Sequence, residues 1–204
     1  MTADEFRTLL NNADEAALLD MTLRSDAPPY VFNIDPPKWD AFRTDLSNSL
    51  DIDVADIRIV GSGRLGFSLA PDKNLRSFTD KSDIDVVVVN SQAFDGLWVK
   101  LLRAAYPRPP VQMGPALAAI RNGLYTGYMS PVDISLDPRI YGQKARPALE
   151  TRTKWFNTLK AATRFPPRRH EDIHCRLYRT WEHAEMYHLH GLSLLRTSLP
   201  MRVI

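Results

Sequence analysis

The chain has 204 residues, enough for one domain with a substantial core. It is 44% hydrophobic, 25% charged and 9% aromatic, which excludes a disordered chain, a coiled coil and a fibrous repeat. The formal net charge of +2 hides an asymmetry: residues 139–204 carry 13 Lys+Arg against 5 Asp+Glu, whereas residues 1–138 carry 13 against 19. All five histidines also lie in that last third. A basic third points to a phosphate-bearing partner, or to arginines that pair with the acidic front half. No apolar run approaches the ~20 residues that span a bilayer, so no membrane association is expected. The acidic, amphipathic N-terminus lacks the basic and apolar regions of a signal peptide. The lone Cys175 excludes an internal disulfide and a cysteine-based zinc cluster, and the expected compartment is the cytoplasm.

In chain order, residues 3–23 read as a helix, with Phe6, Leu9, Leu10, Ala17, Leu18 and Leu19 at roughly helical spacing. Residues 26–30 (DAPPY) break it, and residues 30–34 suggest a short extended piece. Pro36 and Pro37 open a helix to about Leu50, with Trp39, Phe42 and Leu46 on one face. Residues 57–60 (IRIV) form a short strand that runs into a glycine-rich turn. Residues 69–82 are a polar loop, and the β-branched run 86–89 is a buried strand. A helix over 91–105 ends at the prolines of 107–110. A further helix is expected at 115–124, while 125–137 carries no clear signal. Helix 148–161 follows, then a break at 166–169 (PPRR), an alternating strand at 173–178 and a last helix at 180–198. The expected fold class is α/β (α+β), with a small mixed sheet and helical N- and C-terminal extensions. A single domain is expected over 1–204, its core at about 36–140 and a basic strand–helix extension at 148–204.

Two segments carry the chemistry: GSGRLGFS at 61–68 and SDIDVVVV at 82–89. In a strand, side chains i and i+2 share a face, so Asp83 and Asp85 point the same way. Two carboxylates this close repel unless a cation sits between them. Mg²⁺ (or Mn²⁺) is the natural partner, because it takes oxygen ligands, keeps waters and bridges carboxylates to substrate phosphates. Glycines after a short strand let backbone N–H groups approach an anion, and Ser62 adds a hydroxyl. A helix starting near Leu65 would turn its positive end to the same anion. Phosphate donors on one strand and metal ligands on the next fit a nucleoside triphosphate.

GSGRLGFS followed by SDIDVVVV resembles the DNA polymerase beta-like nucleotidyltransferase superfamily, of the small bacterial type, over about residues 36–105. The resemblance implies that Asp83 and Asp85 bind one or two metal ions and that Gly61 and Ser62 hold the triphosphate of an NTP substrate. Gly63, Arg64, Ser68 and Arg176 extend the nucleotide-binding set, and Lys73, Arg76 and Lys81 would close over the phosphates from the long loop. It implies transfer of a nucleotidyl group to a hydroxyl acceptor: an RNA end, a protein or a second nucleotide. Analogy with small bacterial members suggests a toxin–antitoxin or antiviral defence role and a protein partner encoded nearby.

Active members carry a third acid on a later strand, which completes the metal site and can accept the acceptor's proton. Asp133 and Asp172 are the candidates here. The facing position could equally be His174, which would leave the site without the acid. A catalytically degenerate NTP-binding regulatory module is therefore the alternative reading. Residues 170–174 (HEDIH) match a zinc-protease motif, but prolines upstream and strand-like alternation downstream oppose the helix that motif needs. Arg176 and His183 match a loose RNase pattern that a strand at 173–178 does not suit. Arg176, Tyr178, Arg179, Trp181, Tyr187 and His188 mix basic and aromatic residues as nucleic-acid surfaces do. The aromatics read better as a buried face with Leu177, Trp181, Ala184 and Leu192. Trp155 and Phe156 are expected in the core, and Cys175 as a buried small hydrophobe.

Overall fold

The structure is a computed structural model that describes residues 1–106, 115–167 and 172–199. The proline cluster at 107–110, Arg168, Arg169, His170 and Glu171 lie outside the described residues. The order of elements is α1 (Ala3–Asn12), α2 (Glu15–Leu19), α3 (Pro37–Leu50), β1 (Ile57–Val60), α4 (Gly61–Leu65), β2 (Ile84–Val89), α5 (Ser91–Ala105), α6 (Pro115–Tyr125), β3 (Tyr128–Met129), α7 (Pro138–Tyr141), α8 (Arg146–Ala162), β4 (Ile173–Tyr178) and α9 (Trp181–Ser198). The fold is therefore mixed, with the small sheet and helical flanks expected of this α+β class. Among the described residues, no helix is long and apolar enough to cross a membrane.

The sheet has four strands in the order β1-β2-β4-β3. β1 and β2 are antiparallel, β2 and β4 parallel, and β3 and β4 antiparallel. β4 thus lies inside the sheet, so the segment set apart as a C-terminal extension is part of the core. The β-branched run of β2 is the reason: it is flanked on both edges and covered on both faces, the setting in which continuous Val and Ile are stable.

One face of the sheet carries Ile57, Ile59, Ile84, Val86, Val88, Ile173, Cys175 and Leu177, packed with residues of α3, α5 and α8. The opposite face carries Val60, Val87, Val89 and Tyr178, packed against Leu19, Leu23 and Ala184 of α9. A third cluster joins Phe6, Leu10 and Leu18 to Leu192, Leu195 and Leu199, so α1 and α2 pack against α9. Arg58, buried on β1, fastens the N-terminal segment by donating to the carbonyls of Arg24 (3.0 Å) and Ala55 (2.7 Å) and pairing with Asp26 (3.0 Å).

Four local expectations are corrected. The helix over 3–23 is interrupted at Ala13 and Asp14, because the Asp14 carboxylate caps a new helix by accepting from Ala17 N–H at 2.8 Å. It then widens into a π-turn over Asp20–Arg24. Residues 30–34 are not extended, since Tyr30–Phe32 is a 3₁₀ turn. The helix after the glycine turn starts at Gly61 rather than near Leu65. Phe156 is not core: it is 49% exposed, while its neighbour Trp155 is 4% exposed.

Charge asymmetry between the chain's thirds resolves partly into pairing. Arg164 meets Asp45 at 2.7 Å and Arg179 meets Asp95 at 2.9 Å, whereas the Arg24–Glu185 pair at 2.7 Å runs the other way.

Candidate nucleotide site

Antiparallel pairing of β1 with β2 sets Val60 opposite Asp85. The residue after Val60 is Gly61, which has φ +61°. A Cβ at Gly61 would lie 3.6 Å from Asp85 Oδ2, so the backbone of the turn faces that carboxylate. No side chain caps α4 at Val60. The first N–H groups of a helix lack intrahelical partners, so those of Gly61, Ser62 and Gly63 are available at its start. Gly63 itself is buried, and a Cβ there would lie 3.1 Å from Ile59 Cγ2. Its smallness serves the close packing of α4 on β1; ligand contact from Gly63 is limited to its backbone.

Asp83 and Asp85 head β2 on the face shared by Val87 and Val89. Their side chains are about half and one-third exposed, so both reach solvent. Parallel pairing of β2 with β4 sets His174 opposite Asp85 and Arg176 opposite Val87. His174 Nε2 lies 3.6 Å from Asp83 Oδ2, and Arg176 Nη1 lies 3.4 Å from Asp85 Oδ1. Both distances exceed the ~2.7–2.9 Å of a tight charge-assisted hydrogen bond, so neither carboxylate is locked to its basic neighbour.

The two candidates for a third acid flank His174. Asp172 is exposed just before β4, where its backbone carbonyl accepts from Ile84 N–H at 3.0 Å. Asp133 is exposed in the 3₁₀ turn Pro131–Asp133. Both line a groove of about 230 Å³ with Arg152, Lys160 and His174. Among the described residues, no three His, Cys, Asp or Glu side chains converge to hold a metal. The pair Asp83 and Asp85 alone still fits one Mg²⁺, an ion that commonly takes one or two carboxylates and completes its shell with phosphate oxygens and water.

Other residues of the expected nucleotide set are placed differently. Arg64 turns away and donates to the carbonyls of Met21 and Ala27, so its charge anchors the N-terminal segment. Ser68 is engaged in its own loop: its N–H donates to the Arg76 carbonyl at 2.8 Å and its Oγ accepts from Ala70 N–H at 3.2 Å. Lys73, Arg76 and Lys81 are exposed on the loop between α4 and β2. His174 sits on an extended strand, which removes the helical face that a zinc-protease motif requires. Arg176 is on that same strand, so the helical RNase pattern lacks its helix as well.

Sequence reasoning missed the surroundings of Arg176. Its guanidinium lies over the rings of Tyr128 and Tyr187, each at 5.7 Å. Tyr178 packs against Tyr128, Tyr187 and His188, completing an aromatic cage. Tyr178 Oη and His188 Nε2 are buried there with no hydrogen-bond partner among the described residues. Burial, and then the Arg176 charge, push His188 down to about 4. Burial works against the Arg176 charge too, but Asp85 and the tyrosines outweigh it and hold the guanidinium above its ordinary value. Alternation alone places residues 174, 176 and 178 on one face; only the pairing with β2 reveals that this face is the one Asp85 occupies. Cys175 points to the other face, fully buried, and burial raises its thiol well above the ordinary range.

No family model matches the chain, and neither a curated protein nor a solved structure matches it.

Proposed function

We propose that the protein is a nucleotidyltransferase that binds a nucleoside triphosphate with a divalent cation and transfers its nucleotidyl group to a hydroxyl acceptor. The observation that carries this reading is the apposition of Gly61 and Asp85 across the β1–β2 pair. A phosphate received by the backbone of the turn would stand over a carboxylate, an arrangement that is favourable only with a cation between them. Gly61 and Ser62 hold the phosphates through backbone N–H groups and the Ser62 hydroxyl. Asp83 and Asp85 hold the cation. When bound, Mg²⁺ or Mn²⁺ supplies charge stabilisation at the phosphoryl oxygens and orients the attacking hydroxyl.

A second reading is favoured by one specific feature. Asp83 and Asp85 each meet a basic side chain of β4, His174 and Arg176, and no group of three His, Cys, Asp or Glu side chains converges on a metal position among the described residues. On that reading the same site binds NTP as a regulatory or interaction module and transfers nothing. A toxin–antitoxin or defence role, and a protein or RNA partner, belong to the proposal through resemblance to small bacterial nucleotidyltransferases.

The two readings separate when the protein is incubated with each α-labelled NTP and Mg²⁺ or Mn²⁺, with and without total RNA. Label transfer that disappears in Asp83→Ala/Asp85→Ala establishes the enzyme, and the labelled species identifies the acceptor. Saturable, cation-dependent NTP binding without transfer establishes the module. Absence of both sinks the nucleotide site.

A further inference from the structure

We propose that Arg176 is a built-in cation of this site, so that the site takes one divalent ion and the guanidinium itself contacts the triphosphate. The inference rests on the reading of Gly61, Asp83 and Asp85 as a triphosphate site.

Three observations lead to it. First, position: Arg176 projects from the strand next to β2, on the face of Asp85, and its Nη1 lies 3.4 Å from Asp85 Oδ1. It thus sets a positive charge directly beside one of the two carboxylates. Second, fixation: the guanidinium lies 5.7 Å from both the Tyr128 and the Tyr187 ring, which meet each other edge to face at 5.2 Å, and the attraction to the rings restricts the side chain. A caged arginine behaves as a fixed part of the site rather than as a mobile surface charge. Third, spare capacity: the contact to Asp85 is single and long, so the planar fork keeps donors for another oxyanion, and phosphate is the anion it matches bidentately.

Charge balance argues the same way. Asp83 and Asp85 supply two negative charges, and one divalent ion neutralises them. Arg176 then faces the added negative charge of the triphosphate. A second divalent ion beside Arg176 would be repelled by it, and no third acid converges there among the described residues to offset that repulsion. The other charged groups near Arg176 are neutral or distant from this role: His188 is uncharged above about pH 4, and His174 lies toward Asp83.

The test uses the full chain with inorganic tripolyphosphate, which removes any dependence on the base, and Mn²⁺ counted by electron paramagnetic resonance. Wild type is expected to bind one Mn²⁺ per chain at saturation with tripolyphosphate present. In Arg176→Gln, metal-free tripolyphosphate should bind at least tenfold more weakly, whereas Mn²⁺ alone should bind at least tenfold more tightly. Arg176→Lys, which keeps the charge, should retain most of the wild-type behaviour in both titrations. Opposite shifts of anion and metal affinity are not the signature of a damaged fold. Two Mn²⁺ per wild-type chain would overturn the inference, and that count holds even if Arg176→Gln fails to fold. So would unchanged affinities, or affinities that move together, in a folded Arg176→Gln. Failure of wild type to bind tripolyphosphate and every NTP overturns the nucleotide reading itself, whereas tripolyphosphate binding with two Mn²⁺ overturns the built-in cation alone.

Discussion

Gly61 and Asp85 stand face to face across two antiparallel strands, with room for a Cβ between them at 3.6 Å from the Asp85 Oδ2 atom. The strain in replacing Gly61 is therefore in the backbone, which has φ +61°, and not in a clash. Gly61→Ala should cost about 1–2 kcal/mol of stability, the usual penalty for an L-residue in left-handed backbone. It should also weaken NTP binding more than ten-fold, because the methyl group enters the space between turn and carboxylate. Chemical denaturation and a nucleotide titration check the two effects separately. A destabilised variant with wild-type nucleotide affinity would remove Gly61 from the site.

Arg64 and Arg176 look alike in sequence but serve different partners. Arg64 donates to the carbonyls of Met21 and Ala27. Arg64→Met leaves those carbonyls without a charged donor and should lower stability by about 2 kcal/mol, in the range for hydrogen bonds to charged groups. NTP affinity should stay within two-fold of wild type. Loss of affinity at wild-type stability would return Arg64 to the nucleotide set.

Trp155 and Phe156 are neighbours on α8 with opposite surroundings. Trp155 is 4% exposed in the main core and Phe156 is 49% exposed. Trp155→Ala should cost about 3–5 kcal/mol, and Phe156→Ser should stay within about 0.5 kcal/mol of wild type. Urea unfolding of the two variants tests the orientation of the whole helix, since a rotation of one residue would exchange the results.

His188 gives the fold a pH dependence whose sign can be worked out. Its folded value is pushed down to about 4 by burial and then by Arg176, from an ordinary 6.5. Between about pH 6.5 and 4 the unfolded chain binds a proton on His188 that the folded chain refuses, so stability falls as the pH falls through that window. In His188→Gln the melting temperature should fall less steeply between pH 6.5 and 4 than in wild type. Parallel curves for the two proteins would show that His188 does not carry this dependence.

Much of the secondary structure was legible because it is set locally. The proline pair before α3, the β-branched run of β2 and the alternation of β4 each specify their element through contacts within a few residues. The break at Asp14 was also local, but helical spacing on both sides of it masked the cap. Phe156 was misplaced because an aromatic beside a core tryptophan has no local mark of exposure, and only the packing of α8 on the sheet decides it.

The site divides along the same line. By itself the sequence determined that a glycine turn ends one short strand and that two carboxylates share one face at the head of another, since turn chemistry and a two-residue period are properties of adjacent residues. Tertiary structure decided that Gly61 faces Asp85, that β4 enters the sheet beside β2, and that His174 and Arg176 stand beside Asp83 and Asp85. Strand register is a long-range quantity: a slip of one residue would turn Arg176 to the opposite face and bring Cys175 beside the carboxylates. No local pattern in the chain fixes that choice; the burial of Cys175 and Leu177 in one core, and of Tyr178 in the other, does.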